Sequence, residues 1–519
     1  MTVIQRFARS THDLALKTIR ILAIIVAGIL TISTFVFSYY AEDMDSQISL
    51  FHFDNPLLSL FSILLVCFLL SGLFRLSENK LCKVCNFLIW FVPVYCVFGG
   101  LLLVIFGRTL PMSDAYSVYA IGESFATGNL EAIQPTGNTY LSFYPQQIGL
   151  IAYYEIVCRL WNLLPFSAPA YHILKCGNVL FAALIIIYQY RIVHILADNV
   201  KADITYLLLA ICNVPLVFYT SFVYGEIPSF AFACMGMFYL LQADKHVEGD
   251  RLHISGLVLS AITLILSVLL RKNSIILVIA VFIAVFCRFL YTKRRSFCVY
   301  AIVMILLSVN ILPITQAIYE YRTGSYLLPG VPATSYFAMA MQESSRGNGW
   351  YNGFNFYTYQ ETGLDTDATV EISKQAISER LTTFQNDIPY ALQFYAEKFL
   401  SQWTDGTYAC RQATIQTYGN RAGFLESMYT GTLAKSFAKF CNIYQLLIYL
   451  GTLLFFLANR KALEPQWSLL LYMGIIGVIG GLLFHTIWEA NSRYILPYGF
   501  LLIPYAAIGL PSFIDKNRG

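Results

Sequence analysis

The chain is organised around a polar and aromatic stretch that follows a long apolar run and begins Gly107-Arg108-Thr109-Leu110-Pro111-Met112-Ser113-Asp114-Ala115-Tyr116. The stretch ends with Tyr144-Pro145-Gln146-Gln147-Ile148-Gly149. Asp114 falls within a turn or two of the end of a segment long enough to span a bilayer. A carboxylate there is costly unless it is hydrated, paired or functional, so its position predicts a functional site. The plainer alternative is that Ser113 or Asp114 is the N-cap of a helix beginning near Ala115.

The composition is that of an all-α polytopic membrane protein. Of the 519 residues, 57% are hydrophobic and only 12% are charged, and the mean hydropathy is +0.60. Soluble domains carry about 25% charged residues, and apolar runs of about 20 residues recur here from end to end. The net charge of +4 does not indicate a nucleic-acid partner, because the lysines and arginines are grouped in short loops.

About twelve transmembrane helices are predicted, with a range of eleven to thirteen. The predicted spans are residues 18–40, 57–76, 86–106, 171–190, 204–222, 228–243, 254–270, 275–291, 297–318, 442–458, 467–485 and 494–511. Segment 147–164 is apolar but carries Glu155, Arg159 and Asn162 on a helical period. That pattern favours an amphipathic helix in the membrane interface over a further span.

The positive-inside rule supports the non-crossing interpretation of segment 147–164. With a cytoplasmic N-terminus and no crossing there, every cation cluster falls on the cytoplasmic side, including Lys293-Arg294-Arg295 and the C-terminal Lys516-Asn517-Arg518. The opposite, exoplasmic side then collects the charges that lie next to helix ends, which are Asp114, Glu226, Arg271, Lys272, Glu489 and Arg493. Such a cluster at one face of the membrane predicts a site there. Individually, Arg271 and Lys272 could instead reach lipid headgroups, and Glu489 could pair with Arg493 on one helix face.

Four regions follow from this layout. Residues 1–85 form an N-terminal two-helix extension, and 86–318 form a transmembrane core that includes the first exoplasmic loop, 107–165. Residues 319–441 are the only long hydrophilic stretch and are predicted to form a partly helical exoplasmic cap over the site, and 442–519 form the C-terminal transmembrane helices. The cap mixes glycine and aromatic residues, as in Gly347-Asn348-Gly349-Trp350-Tyr351, which suits stacking against a sugar but is also common in interfacial loops.

Signatures of soluble enzymes are missing from the sequence. It contains no phosphate-binding P-loop, no dinucleotide glycine fingerprint and no HExxH motif. Cys82-Lys83-Val84-Cys85 is a CxxC without a second pair, which is weak evidence for a metal or redox centre. Any substrate is therefore expected to be membrane-borne or exoplasmic.

Together, five short elements resemble the GT-C superfamily of integral membrane glycosyltransferases. They are Asp114 in the first large exoplasmic loop, the Tyr144–Gly149 element, Tyr224-Gly225-Glu226-Ile227-Pro228, Leu270-Arg271-Lys272-Asn273-Ser274, and Trp488-Glu489-Ala490-Asn491-Ser492-Arg493-Tyr494-Ile495-Leu496-Pro497. The likeness is closest to the protein-mannosyltransferase and aminoarabinose-transferase-like branch, in forms common in Gram-positive bacteria. It covers the layout of about residues 86–511, and the first two spans are additional to the simplest family layout.

This resemblance implies sugar transfer from a polyprenyl-phosphate donor to an acceptor on the exoplasmic face of the cell membrane. The acceptor could be a cell-envelope glycan, a glycolipid or a protein. Asp114 matches the family's catalytic carboxylate, which orients or deprotonates an acceptor hydroxyl in an inverting reaction. Arg271, Lys272 and Arg493 are the candidates for binding the leaving phosphate.

The remaining residues of the predicted site would bind substrate or position other groups. Glu226 could hold the acceptor or a basic residue in place, and Glu489 could orient Arg493. Tyr144, Gln146 and Gln147 would line the pocket near Asp114. Relatives differ in metal use, and no carboxylate cage stands out here, so no metal or other cofactor is predicted. Family loops often carry a second acidic residue beside the first, whereas Asp114 is followed by Ala115.

Two other classes of protein fit parts of the pattern. A polymerase or ligase of polyprenyl-linked polysaccharides also has many spans and one large outer loop, but it lacks the early aspartate loop followed by an interfacial helix. A transporter or flippase for lipid-linked sugars would place charges near the bilayer midplane and show repeat symmetry, and the sequence has no visible repeat.

Overall fold

The protein is a bundle of long apolar helices. The computed structural model describes residues 3–41, 44, 49–133, 139–165, 168–245, 254–458 and 469–516. Within these ranges, nine helices are long and apolar enough to cross a bilayer. They are Thr11–Val36, Pro56–Leu73, Glu78–Gly107, Tyr171–Ala197, Lys272–Thr292, Arg295–Thr323, Ala434–Ala458, Leu470–Ile487 and Ser492–Asp515. The prediction of an all-α polytopic membrane fold is confirmed.

The elements of the first half are α1 (Val3–Val36), β1 (Phe37–Ala41), β2 (Ser49–Phe53), α2 (Pro56–Leu73), α3 (Glu78–Gly107), α4 (Ser113–Ala126), α5 (Tyr140–Phe143), α6 (Ile148–Asn162), α7 (Tyr171–Ala197), α8 (Val200–Ile211), α9 (Val214–Tyr219), α10 (Glu226–Lys245) and α11 (Ile254–Leu270). The second half contains α12 (Ile275–Thr292), α13 (Arg295–Thr323), α14 (Ala333–Ala340), α15 (Phe354–Glu361), α16 (Thr366–Asn386), α17 (Ile388–Trp403), α18 (Cys410–Ala413), α19 (Gly423–Tyr429), α20 (Ala434–Ala458), α21 (Met473–Ile487) and α22 (Ser492–Lys516). Short 3₁₀ turns at Pro145–Gln147, Lys272–Ser274 and Leu469–Tyr472 precede α6, α12 and α21.

Three of the predicted spans do not appear among these nine. Segment 228–243 lies in α10 and segment 254–270 coincides with α11, which has 17 residues. Segment 204–222, predicted as one span, is broken into α8 and α9. The break follows from Asn213, whose side chain accepts a hydrogen bond from Leu216 N and caps α9, and from Pro215 in the first turn.

The loop between α1 and α2 contains a β-hairpin that hydropathy does not predict. Helix α1 ends at Val36 rather than continuing to residue 40, and β1 pairs antiparallel with β2 in a register that places Tyr39 opposite Phe51. Alternating aromatic residues favour extended pairing over helix. The Tyr39 amide donates to the Thr404 carbonyl at 3.1 Å, so the hairpin also contacts the region predicted as the cap.

Helix α6, which lies within the predicted interfacial segment 147–164, is fixed by an ion pair to α13. Arg322 of α13 donates to both oxygens of Glu155 at 2.8 and 3.1 Å, and Arg159 donates to the same carboxylate at 2.9 Å. Burial alone would raise the pKa of Glu155, but these hydrogen bonds outweigh burial and the pKa is lowered. The polar residues of α6 therefore bind a neighbouring helix.

Small residues allow the central helices to pack closely. A Cβ placed at Gly509 of α22 would lie 1.9 Å from the Gly451 carbonyl oxygen of α20, and one at Gly451 would meet Ala506 at 2.9 Å. Close backbone approach through small residues is how helices associate in membranes. Helix α22, which carries Arg493, is in this way held rigidly in the interior of the bundle.

The region 319–441 contributes more than an outer cover. Helices α14 to α17 lie near the ends of the spans, but residues 404–414 are buried among the membrane helices. Gly406 N donates to Asn442 Oδ1 at 2.8 Å, and a Cβ at Gly406 would lie 2.3 Å from the Cys441 carbonyl oxygen of α20. This buried loop anchors the region in the bundle; the domain boundaries drawn from the sequence remain a prediction.

Candidate active site

A cavity of about 650 Å³ opens where α4, α12, α21 and α22 end or begin. Eight of the nine predicted site residues line it, namely Asp114, Tyr144, Gln146, Gln147, Arg271, Lys272, Glu489 and Arg493. The ninth, Glu226, does not line the cavity but contacts the two arginines in its wall. Residues separated by more than 370 positions in the chain are thus brought to one chamber.

Asp114 reaches the cavity because of the way α3 ends and α4 begins. Arg108 adopts a left-handed conformation (φ 48°) just after α3, and the following residues pair with the loop at 416–418 through Leu110 N and the Gln416 carbonyl at 2.8 Å. Ser113 also has a positive φ of 49°, which is costly for a residue other than glycine. Backbone strain of this kind directly before Asp114 fits a position that is held for function.

The N-cap alternative for Asp114 is not supported. Helix α4 begins at Ser113, its N-cap residue is Met112, and no side chain forms a capping hydrogen bond. The Asp114 side chain is exposed to solvent inside the cavity, and the walls of the cavity surround it. That enclosure raises the pKa of Asp114 by desolvation, against the opposing effects of Arg493, a Tyr140 hydrogen bond and Arg271.

Glu226 links the two arginines of the cavity wall. Its Oε1 lies 2.8 Å from Arg271 Nη1 and 3.5 Å from Arg493 Nε, and its side chain is only 2% exposed. The 2.8 Å contact between Glu226 and Arg271 is an ion pair. It does not have the geometry of a hydrogen bond, because no donor among the described residues is aligned with either carboxylate oxygen of Glu226. One buried carboxylate therefore holds two guanidinium groups together and leaves net positive charge at the wall.

Aromatic rings complete the support of these arginines. The Arg271 guanidinium lies 5.4 Å from the Tyr224 ring and 5.7 Å from the Tyr494 ring, and Arg493 lies 5.6 and 5.4 Å from the same two rings. Such cation–π contacts orient a guanidinium without consuming its hydrogen-bond donors. The donors that point into the cavity stay available for an anion.

A glycine makes the approach of Glu226 to Arg271 possible. A Cβ at Gly225 would lie 2.5 Å from the Leu270 carbonyl oxygen, so only glycine lets the Tyr224–Glu226 turn pack against the end of α11. The 3₁₀ turn that follows, Lys272–Ser274, is fixed by a 2.6 Å hydrogen bond between Ser274 and Ser229. Lys272 projects from this turn, is exposed, and forms no ion pair within the described ranges.

Glu489 occupies a different environment from Asp114. It lies between α21 and α22 in a short segment whose Ala490 N donates to the Gly349 carbonyl at 2.8 Å, and its side chain accepts from the Tyr494 hydroxyl at 3.3 Å. Burial raises the pKa of Glu489 to about 7, with Arg493 opposing the rise and Asp114 adding to it. The sequence predicts that Glu489 orients Arg493. In the structure the ion-pair partner of Arg493 is Glu226, so Glu226 is the residue placed to orient it.

The Tyr144–Gly149 element forms the wall beside Asp114. Gln147 donates to the Tyr224 hydroxyl at 2.5 Å, which ties this element to the Glu226 turn. Pro145 packs against Gly330, where φ is 81° and a Cβ would lie 2.4 Å from the Pro145 ring. The glycine thus permits the cap region to contact the loop.

The cap region supplies cavity residues that were not among the predicted site residues. They are Val331, Ala333, Tyr336, Arg346, Trp350, Tyr351, Asn355, Ala409, Gln412 and Ala413. Residues from other regions, among them Ser49, Tyr140 and Trp488, also line the cavity. The glycine and aromatic motif around Trp350 was a usable signal. Nothing in the sequence distinguishes Ala409 or Gln412, which line the cavity only because the buried loop passes beneath it.

Within the described ranges, no group of three or more histidine, cysteine, aspartate or glutamate residues is arranged to hold a metal ion. Metal independence stays a prediction.

The chain is similar to solved structures of an archaeal oligosaccharyltransferase. Against the protein AglB from Archaeoglobus fulgidus, in complex with an inhibitory peptide and a dolichol-phosphate, the TM-score is 0.43 at 14% identity over 82% of this chain and 51% of that one. The apo form gives 0.47 over the same shares, and a complex with zinc and sulfate gives 0.44 over 82% and 49%. The chain spans about half the length of these structures. No protein-family model and no curated protein matches it. Likeness at this level transfers no residue role.

Proposed function

We propose that the protein is a glycosyltransferase of the GT-C superfamily that transfers a sugar from a polyprenyl-phosphate donor to an acceptor on the exoplasmic face of the cell membrane. The observation that carries this proposal is that Asp114 and the cations Arg271, Lys272 and Arg493 line the same cavity. The cavity thus combines a carboxylate suited to accept a proton with a group of cations suited to bind a phosphate. Both lie at the ends of membrane helices, where a lipid headgroup is found.

Asp114 acts as the general base in this reaction. It takes the proton of the acceptor hydroxyl as the hydroxyl oxygen attacks the anomeric carbon of the donor sugar. A raised pKa makes the carboxylate a stronger base than an ordinary aspartate. As the new glycosidic bond forms, the bond from the anomeric carbon to the phosphate oxygen breaks on the opposite face, so the configuration inverts.

Arg271, Lys272 and Arg493 bind the phosphate that leaves. Negative charge grows on the phosphate oxygen as its bond to the sugar breaks, and preorganised cations stabilise that charge. Glu226 positions the two arginines, and Tyr224 and Tyr494 flank both guanidinium groups. Guanidinium groups offer paired donors that match phosphate oxygens.

The walls of the cavity suit a donor that is part lipid and part sugar. Ile275, Ile276 and Phe484 line it at the ends of α12 and α21, where a prenyl chain would enter from the bilayer. Tyr336 stacks on Trp488 at a ring distance of 4.9 Å, and this aromatic pair faces the same space. Aromatic faces of this kind pack well against a sugar ring.

The proposed orientation places both termini in the cytoplasm and the cavity outside. It rests on the distribution of lysine and arginine in the short loops. A cysteine introduced at Asn352 should react with an impermeant thiol reagent added outside intact cells, and labelling only after permeabilisation would invert the orientation.

The deciding experiment measures transfer from a radiolabelled polyprenyl-phosphate sugar to membrane acceptors. Wild type is compared with Asp114→Asn and with Glu131→Gln, a control in the same loop whose side chain is exposed. We expect transfer by wild type and the control and none above background by Asp114→Asn. Equal transfer by all three would remove Asp114 from the mechanism. No transfer by any would turn attention to a polymerase, a ligase or lipid-linked sugar flipping.

A further inference from the structure

The cavity is lined by cations at two separate places. Arg271, Lys272 and Arg493 form one group at the membrane side, but a fourth cation, Arg346, lines the cavity from the cap region. Its guanidinium is exposed and has no hydrogen bond or ion pair to any described residue. A guanidinium carries five N–H donors, so Arg346 presents an unused anion-binding group.

The backbone that carries Arg346 is fixed from three directions. The Tyr39 hydroxyl of the β-hairpin donates to the Arg346 carbonyl oxygen at 2.6 Å. Asn348 donates to Glu397 of α17 at 2.8 Å, and the Gly349 carbonyl accepts from Ala490 N at 2.8 Å. Loop 342–353, which contains these residues, therefore holds the position of Arg346 even though its side chain has no partner among the described residues.

Two glycines make that fixation possible. Gly347 has a φ of 133° and a Cβ there would meet the Tyr39 hydroxyl at 3.1 Å, while Gly349 has a φ of 72° and a Cβ would lie 2.6 Å from the Lys398 side chain. Both backbone conformations are ones that favour glycine. Two constrained residues and three anchoring hydrogen bonds thus fix one loop that ends in the cavity wall.

Arg346 differs from Arg271 and Arg493 in having no carboxylate of the described residues in contact with its guanidinium. Its charge acts on Glu489, as that of Arg493 does, and on Tyr351, whereas Arg271 and Arg493 both form ion pairs with Glu226. A monophosphate bound by Arg271, Lys272 and Arg493 leaves the Arg346 guanidinium without an anion in direct contact. Cations that stay unpaired in a preorganised wall are typical of a recognition site for a second anionic group.

We propose that Arg346, presented by loop 342–353, forms a second anion-binding subsite that takes a phosphate-type group distinct from the phosphate bound by Arg271, Lys272 and Arg493. This proposal deepens the proposed function and rests on it for the identity of the first phosphate. Two sources carry the required chemistry. One is the second phosphate of a diphosphate-linked donor, and the other is an anionic acceptor such as a phosphate-bearing envelope polymer.

The test measures binding to the purified full-length protein in detergent micelles by calorimetric titration. Three probes are used: farnesyl phosphate, farnesyl diphosphate and a glycerol-phosphate oligomer. Wild type is compared with Arg346→Gln and with Lys374→Gln, an exposed cation of α16 whose ion-pair partner is Glu371 and which lies outside the cavity. Equal melting temperatures of the three proteins establish that the variants are folded.

We expect Arg346→Gln to bind farnesyl diphosphate, the oligomer or both about tenfold more weakly, the loss typical of a charge-assisted hydrogen bond. Farnesyl phosphate should bind as to wild type, and Lys374→Gln should change nothing. Weakening of the diphosphate assigns the subsite to the donor, and weakening of the oligomer assigns it to the acceptor. Unchanged binding of all three probes, or equal weakening of all three, would overturn the proposal.

The outcome is independent of the transfer assay. Absence of transfer by wild type would remove the proposed function and leave a second anion subsite intact. Transfer by wild type with unchanged binding by Arg346→Gln would keep the function and remove the subsite.

Discussion

Asp114 and Glu489 are both carboxylates of one cavity, but their surroundings differ. Asp114 lies in the first turn of α4, is exposed within the cavity and accepts a hydrogen bond from the Tyr140 hydroxyl. Glu489 lies between two transmembrane helices, is 8% exposed and accepts from Tyr494. Burial raises the pKa of each, and Arg493 opposes that rise in each; the raised pKa of Glu489 is about 7.

The difference teaches how one site can hold two carboxylates with separate tasks. When two carboxyl groups of one site lie in different environments, one can accept a proton in the reaction while the other holds its own proton. Asp114, the more hydrated of the two, is open to an acceptor in the cavity and suits a base. Glu489 is partly protonated at neutral pH, so it changes the charge of the cavity with pH without being required for proton transfer.

The largest expected effect concerns turnover. Asp114→Asn should lower kcat by about 10²- to 10⁴-fold, because a positioned general base contributes that much to a rate. Glu489→Gln should keep kcat within about tenfold of wild type at pH 6, where Glu489 is mostly protonated and glutamine resembles it. Initial rates of transfer from a polyprenyl-phosphate sugar at saturating substrate measure both variants. A loss of kcat in Glu489→Gln as large as that in Asp114→Asn would contradict separate roles for the two carboxylates.

A second prediction tests the carboxylate beneath the cavity. Glu226→Gln should lower the free energy of unfolding by about 3 kcal/mol, because two guanidinium groups would then face each other without their buried counter-charge. Urea denaturation in detergent, followed by tryptophan fluorescence, measures the change. The donor KM should rise in parallel, since Arg271 and Arg493 lose their position.

Glu371→Gln is the matched control for Glu226→Gln. Glu371 pairs with Lys374 at the same 2.8 Å distance, but both side chains are more than half exposed. Exposed pairs contribute about 0–1 kcal/mol, so this variant should unfold almost as wild type does. Equal stability losses at the two positions would show that burial of Glu226 does not matter.

Much of the site was predictable because charge is unfavourable near a bilayer. Asp114, Arg271, Lys272, Glu489 and Arg493 stand next to long apolar runs, and the positive-inside rule alone groups them on one face. Glu226 was also selected, but its position behind the arginines depends on the Gly225 turn in three dimensions. Sequence periodicity indicates which face of a helix is buried, but it does not identify the contacts of a single side chain such as that of Glu226.

The parts that escaped prediction lack a periodic signal. The β-hairpin is a short pairing inside a loop, and residues 404–414 carry many polar groups although they are buried, since these groups bond to each other and to Asn442. The break after α8 depends on two local signals, the capping Asn213 and Pro215 in the first turn of α9. Such local hydrogen bonds override the hydropathy that predicts spans.

A third prediction sharpens the contrast between the carboxylates through pH. The pKa of Glu489 is about 7 instead of 4.5, so its negative charge appears as pH rises through 7. A new negative charge repels a phosphate donor, and the donor KM of wild type should rise several-fold between about pH 6 and pH 8. Glu489→Gln should show a flatter KM over this interval, while Glu371→Gln should follow wild type. A KM profile of Glu489→Gln identical to that of wild type would assign the ionisation to another group.

The smallest expected effect concerns Lys398, whose charge acts on Glu489 from the cap region. Its ammonium is buried and donates to the Ala340 carbonyl at 2.7 Å and the Thr486 carbonyl at 3.0 Å, and burial lowers the pKa of Lys398 from 10.5 to about 7. Between these two values the unfolded chain binds a proton that the folded chain does not, so stability increases with pH over that window. The melting temperature of wild type should therefore rise by a few degrees between about pH 7.5 and pH 9.5, and that of Lys398→Met should rise less. An equal rise in both proteins would mean that Lys398 stays charged in the folded state, and that Glu489 faces a full positive charge instead of a titrating one.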